Sequence, residues 1–121
     1  VMYAGDNDVA SGKSPEAVLA DFQTFVKVVH AKLPKTRIAF IAIKPSIARW
    51  KLSGKMSEAN ALVHGVCAKD KRLDFIDIWQ SMLGQDGKPK ANLFVKDGLH
   101  LNANGYALWT SIVKPYLAKR E

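Results

Sequence analysis

The amino-acid sequence predicts an α/β domain: a parallel sheet sandwiched by helices, about three strands and three helices in extent. Three observations carry this. Segments of helical period alternate with short apolar runs in the order strand, helix, strand, helix, strand, loop, helix, which implies right-handed crossovers. The run Arg37 to Ile43 is β-branched and apolar without alternation, as suits a strand buried on both faces of a parallel sheet. Every unusual polar cluster falls at the carboxyl ends of the strands, where open α/β sheets place their sites.

The elements follow in order. Val1-Met2-Tyr3-Ala4 reads as the end of a strand and Gly5-Asp6-Asn7-Asp8 as a loop. A domain that opens inside a strand is expected to have lost a segment upstream, and no basic region followed by an apolar stretch marks a leader in this chain. Ser14-Pro15-Glu16 starts a helix: serine caps free amides, proline suits the first turn, and glutamate favours the positive end of the dipole. Val18, Phe22, Phe25, Val29 and Leu33, with Leu19 and Val26, form its apolar face, and Pro34 ends it. Lys44-Pro45-Ser46 closes the next strand, and a loop runs through Trp50 to Ser53-Gly54. A second helix spans about Met56 to Lys69, with Ala59, Leu62, Val63, Val66 and Cys67 inward, and a third strand spans Leu73 to Trp79. A long loop with the turn Asp86-Gly87-Lys88-Pro89 reaches Asp97-Gly98-Leu99-His100. Asn102 then caps a last helix that turns Tyr106, Trp109, Ile112, Val113 and Tyr116 inward, with Pro115 bending its final turns.

Composition narrows the function classes. At 121 residues the chain is one domain, residues 1–121, and 48% hydrophobic content is enough to exclude disorder. The longest apolar run, Ile38 to Ile43, falls far short of the roughly 20 residues of a membrane span. Cys67 is the lone cysteine, so no disulfide framework exists, and it reads as a buried thiol. Eighteen Lys and Arg against eleven Asp and Glu give a net charge of +7. The lysines are scattered, however, and the clusters Lys69-Asp70-Lys71-Arg72 and Lys119-Arg120 carry no interleaved aromatics. A solvated basic surface is expected, with no nucleic-acid partner. His30 and His64 lie at no ligand spacing from cysteine or acid, so no metal site is expected. Trp79 and Trp109 read as core. Nothing in the chain assigns a compartment.

Two segments carry chemistry. In Asp97-Gly98-Leu99-His100 the carboxylate can accept from one ring nitrogen, fixing the tautomer and leaving the other nitrogen as a base. In Gly5-Asp6-Asn7-Asp8 glycine permits close backbone approach, and an asparagine amide suits a developing oxyanion. Taken singly, the first is equally a turn entering a helix and the second an Asx turn. Their order and their common sheet edge join them.

Together these residues resemble the SGNH hydrolases, or GDSL-type lipases and esterases. Gly5-Asp6-Asn7-Asp8 is similar to that family's G-x-N-D block. Asp97 to His100 is similar to its D-x-x-H block, continuing through Leu101, Asn102, Gly105 and Tyr106. Lys44-Pro45-Ser46, Arg49-Trp50, Asn60 and Phe75-Ile76-Asp77 also resemble members, so the likeness covers essentially the whole chain. The resemblance implies a flavodoxin-like sandwich, truncated here to its last three strands and helices, and hydrolysis of a small-molecule acyl ester without cofactor or metal. It implies Asn7 as oxyanion donor, Gly5 as shaper of the loop, His100 as base, Asp97 as its orienter, and Asp8 as a brace. Trp50 and Ser46 are candidates for a substrate pocket.

The chain departs from the family in one large respect. Residues 1–121 contain neither the block with the nucleophilic serine nor the block with the oxyanion glycine. Ser11 and Ser46 are the only serines near the site, and neither sits on a tight strand-to-helix turn where a nucleophile is activated. The chain by itself is therefore expected to be inactive, and a non-catalytic binding or scaffold fragment of the same fold is the alternative. An unrelated flavodoxin-like module is disfavoured, because no Gly-rich phosphate loop follows any strand. By the family's sheet order, the strand ending at Ala4 has an open edge, which predicts a homodimer or association with the absent N-terminal part.

Overall fold

The computed structural model describes residues 1–117, so the Lys119-Arg120 cluster lies outside the described residues. Four helices and two strands follow one another: α1 (Asp6–Ala10), α2 (Pro15–Lys32), β1 (Ile38–Ile41), α3 (Ser53–Cys67), β2 (Leu73–Ile76) and α4 (Ala103–Leu117). Single 3-10 turns at Trp50–Leu52, Gln80–Met82 and Ala91–Leu93 punctuate the loops.

β1 and β2 pair in parallel, Ile38 opposite Leu73 and Ile41 opposite Ile76. The expected first strand is reduced to one parallel bridge between Met2 and Phe40. Met2 N–H donates to Ala39 O (2.8 Å) and Ile41 N–H to Met2 O (2.9 Å). The three-stranded expectation is thus corrected to two strands and a bridging residue. The cause is local: Gly5, at φ 104°, turns the chain straight into α1. Residues 6–8, expected in a loop, are therefore helical. Asp6 and Asp8 favour the positive end of that short helix, and buried Val9 ties it to Val18, Ile43, Met56 and Ala59.

α2 begins as its sequence predicts, with Ser14 Oγ accepting from Ala17 N–H at 3.1 Å. Its inward line is narrower than expected. Val18 and Phe22 are buried, with Leu19, Val26 and Val29 packed beside them, whereas Phe25 and Leu33 are 43% and 58% exposed. α3 starts at Ser53, a few residues before the expected Met56, because the 3-10 turn at Trp50–Leu52 leads directly into it. α4 is capped by Asn102, whose Oδ1 accepts from Gly105 N–H at 3.0 Å; its Nδ2 donates to Asn92 O and Phe94 O. Pro115 lies in its last turns.

The strands separate two apolar layers. On one face, Phe22 of α2 and Val63 and Cys67 of α3 pack on Ile38, Phe40 and Leu73. On the other, Leu108, Trp109, Ile112 and Val113 of α4 cover Ile41, Ile76, Ile78 and Met82. Each fully buried Val, Leu, Ile, Phe or Met among them contributes about 1.5–3 kcal/mol. Helices thus lie on both faces, and the strand ends are left to carry polar loops. Buried Asn60 fixes the end of β1: its Oδ1 accepts from Ile43 N–H (2.8 Å) and its Nδ2 donates to Ile43 O (3.0 Å). No helix among the described residues is long and apolar enough to cross a membrane.

Candidate active site

Three chain segments meet at the carboxyl end of the sheet: the Gly5 turn with α1, the Lys44–Arg49 loop after β1, and the Asp97–His100 turn before α4. Between them lies a pocket of about 240 Å³. Its polar side is formed by Tyr3, Asp6, Asn7, Lys44, Arg49 and His100, its apolar side by Leu99, Leu101, Tyr106 and Trp109.

The Asp97 turn is built around its own carboxylate. Oδ1 accepts from the backbone N–H of Leu99 (2.8 Å) and His100 (2.9 Å), while Oδ2 lies 2.5 Å from His100 Nδ1. Gly98 supplies the positive φ of 67° that this turn needs. The hydrogen bond from His100, with those from the two backbone amides, holds the Asp97 carboxyl down at about 2. An ionised carboxylate only accepts, so Nδ1 is the ring nitrogen that donates to Asp97, and Nε2 is the one that Asp97 leaves unengaged. Gly98 O accepts from Ala48 N–H at 3.0 Å, which joins this turn to the loop after β1.

Asp6 is the hub of the opposite wall. It is buried, and its Oδ2 accepts from Lys44 Nζ (2.7 Å) and Tyr3 OH (2.9 Å), its Oδ1 from Arg49 Nη1 (2.6 Å). Burial pushes this carboxyl up, but the bonds and charges of Lys44, Arg49 and Tyr3 outweigh it and hold it below its ordinary value. Burial, then the Asp6 charge, push the Tyr3 phenol well up, so it stays a donor. Arg49 Nη1 also donates to Asn7 Oδ1 at 3.0 Å.

The structure brings Asn7 and His100 to one pocket and pairs His100 with Asp97. Gly5 is required by its φ of 104°, and a Cβ there would also come 2.9 Å from Ile43 Cδ1, which would have to shift. Ser46 and Trp50 do not line this pocket. Ser46 is buried, its Oγ accepting from Arg49 N–H at 3.2 Å, and Trp50 stacks on Trp79 at 6.3 Å between centroids. Ser11 sits at the end of α1 and donates to Asp8 O (3.0 Å). Among the described residues no serine, threonine or cysteine lines the pocket. The bracing expected of Asp8 falls to Asp6 instead: Asp6 is the helical residue turned inward, while Asp8 offers its backbone carbonyl to Lys13 N–H and Ser11 Oγ.

Tyr3, Asp6, Lys44 and Arg49 were not foreseen as site residues. Within the chain's own pattern the hint is a charged residue directly after the apolar run Ile38 to Ile43, at Lys44. Trp109, expected in the core, forms pocket wall while its Nε1 donates to Met82 Sδ at 3.3 Å. His30 and His64 lie elsewhere, His30 against Thr36 O and His64 stacked on Phe75. Cys67 is buried, and that burial, with the charges of Asp74 and Asp70, pushes its thiol up to about 11. Among the described residues no group of His, Cys, Asp or Glu is placed to hold a metal ion.

A model of the GDSL-like lipase/acylhydrolase family matches residues 1–108. No curated protein matches the chain. Among solved structures, a Streptococcus pneumoniae protein provisionally described as a platelet activating factor superposes with TM-score 0.85 at 21% identity, covering 95% of this chain and 58% of that one. A GDSL-like lipase from Bacteroides thetaiotaomicron superposes with TM-score 0.74 at 21% identity, covering 95% and 59%. The esterase domain of the ORF1 protein of the zebrafish ZfL2-1 retrotransposon does so with TM-score 0.72 at 23% identity, covering 98% and 72%. At these identities the likeness is one of fold. The chain spans less than two thirds of the length of the two bacterial relatives.

Proposed function

The chain belongs to the GDSL-like lipase/acylhydrolase family, and from that premise we propose that it carries the base and oxyanion parts of an ester-hydrolase site. His100 Nε2 takes the proton of a nucleophilic hydroxyl as that oxygen bonds to the ester carbonyl carbon, and returns it to the departing alcohol. Asp97 orients the ring and stabilises the imidazolium that forms. Asn7 Nδ2 donates to the carbonyl oxygen as it becomes an oxyanion, a contact whose loss costs about 10²–10³ in rate in comparable sites. The substrate is a small acyl ester, and none of these steps requires a cofactor. The observation that carries the reading is a His100 paired with Asp97 at 2.5 Å and lining one pocket with Asn7.

That no serine, threonine or cysteine among the described residues lines the pocket favours a chain that does not turn over by itself. We expect residues 1–121 alone to hydrolyse p-nitrophenyl acetate little or not at all, and to escape stoichiometric labelling by a fluorophosphonate. A longer chain carrying a Gly-Asp-Ser segment ahead of Val1 should hydrolyse it and lose that activity on His100→Ala. Clean labelling of Ser11 or Ser46 would overturn this assignment. A longer chain that binds esters without cleaving them would favour the scaffold role instead.

A further inference from the structure

We propose that Arg49 is the positioning residue of this site: it sets the orientation of the Asn7 carboxamide and so aims its Nδ2 at the pocket. The inference rests on the reading of Asn7 as oxyanion donor. An asparagine amide rotates about a soft, roughly two-fold torsion, and its oxygen and nitrogen ends are nearly equal in shape. Asn7 is exposed in the first turn of a five-residue helix, where packing does not choose between the two. Arg49 does choose. A guanidinium only donates, so the Asn7 atom 3.0 Å from Nη1 is Oδ1, and Nδ2 is turned to the other side. Nδ2 has no partner among the described residues. The opposite rotamer would set donor against donor.

The charge count separates this role from a purely structural ion pair. Lys44 Nζ, 2.7 Å from Asp6 Oδ2 and almost fully buried, already balances the Asp6 carboxylate. Arg49 is a second cation on the same carboxylate, and Nη1 serves two acceptors, Asp6 Oδ1 at 2.6 Å and Asn7 Oδ1 at 3.0 Å. Asp6 anchors the guanidinium, and the guanidinium in turn anchors the amide. Nη1 carries two N–H groups, so it can donate to both acceptors at once. A cation bonded to the amide oxygen also polarises the carboxamide, which makes its N–H groups better donors to a forming oxyanion. The loop that carries Arg49 is held at Arg49 N–H by Ser46 Oγ and at Ala48 N–H by Gly98 O, within the turn that orients His100. One loop therefore sets both the base and the oxyanion donor.

The test is nitrogen-15 side-chain relaxation of Asn7 Nδ2 in the 121-residue chain. We expect an order parameter of about 0.85, as for rigid backbone, falling below about 0.6 in Arg49→Met while the backbone of α1 stays rigid. An Asn7 amide equally ordered in the variant overturns the proposal. Should the variant not fold, the unaltered chain decides: a rigid Asn7 amide supports the inference, and a mobile one overturns it. The readout requires no turnover. A negative result here leaves the ester-hydrolase reading standing, whereas that reading fails by the activity measurements on the longer chain.

Discussion

Asp6→Asn isolates the energetic weight of the hub. The substitution keeps the shape of the side chain and removes its charge. Three donors converge on the carboxylate: Tyr3 OH at 2.9 Å, Lys44 Nζ at 2.7 Å and Arg49 Nη1 at 2.6 Å. An asparagine oxygen can still accept from some of them, but its NH2 must face another donor. The heaviest loss falls on Lys44, whose side chain is only 9% exposed and whose ammonium is left buried without its anion. Breaking one side of a buried pair costs about 3–5 kcal/mol. Arg49 is more exposed at 22% and adds less than about 1 kcal/mol. Against a total stability of about 5–15 kcal/mol this is a large fraction, and at about 4 °C per kcal/mol it lowers the melting temperature by roughly 12–20 °C.

The pH dependence gives that prediction a second edge. The Asp6 carboxyl in the folded chain lies below its ordinary value of 3.8. Its contribution is therefore fully present above that value and is lost as pH falls through the lower folded one. Urea melts of the two proteins should differ most near neutrality and converge in acid, with equal slopes. A loss under about 1 kcal/mol near neutrality, or a difference that persists unchanged into acid, would refute the hub.

Three further outcomes are expected. The Asp97 carboxyl carbon should titrate with a midpoint of about 2, so that the pairing with His100 survives well below neutrality; a midpoint in the ordinary carboxylate range would mean that the pair does not form in solution. Gly105→Ala should destabilise by about 1–3 kcal/mol despite alanine's better helix propensity, because the new Cβ would lie 2.4 Å from Leu93 O; a raised melting temperature would show that α4 can shift freely. We also propose that the chain self-associates along its N-terminal edge, where Met2 pairs with β1 on one side and Tyr3 N–H and C=O have no backbone partner among the described residues; sedimentation showing a monomer at micromolar concentration would count against it.

The fold was legible where a local signal and the tertiary packing agree. Ser14-Pro15-Glu16 starts α2, and Asn102 caps α4, because capping is decided within a single turn. The strands read too long for a definite reason. Ala42 and Ile43 are completely buried yet lie past the end of β1, and Ile78 is completely buried past the end of β2. Apolar runs report burial, and here burial continues past the ends of both strands. The opposite error occurs at residues 6–8. Gly, Asp and Asn are turn residues, but acids also suit the first turn of a helix, and composition alone does not separate the two.

The site divides along the same line. Asp97 and His100 were legible because three residues of spacing bring carboxylate and imidazole together inside one turn, whatever the rest of the chain does. The hub was not, because Asp6 lies 38 residues from Lys44 and 43 from Arg49, and no periodicity links an acid to a base at such separations. Eighteen basic residues scattered through the chain also make any one of them look ordinary. Lys44 nevertheless has one distinguishing mark. It follows the apolar run Ile38 to Ile43 with no glycine or polar residue between. In the fold Lys44 is buried like the run it follows. A buried ammonium requires a carboxylate. The segment that enters the same sheet end, Gly5 to Asp8, offers Asp6 and Asp8, and only Asp6 is turned inward by the start of α1. The pairing follows once Lys44 is known to be buried, and it also needs the direction of a helix that the sequence reads as a loop.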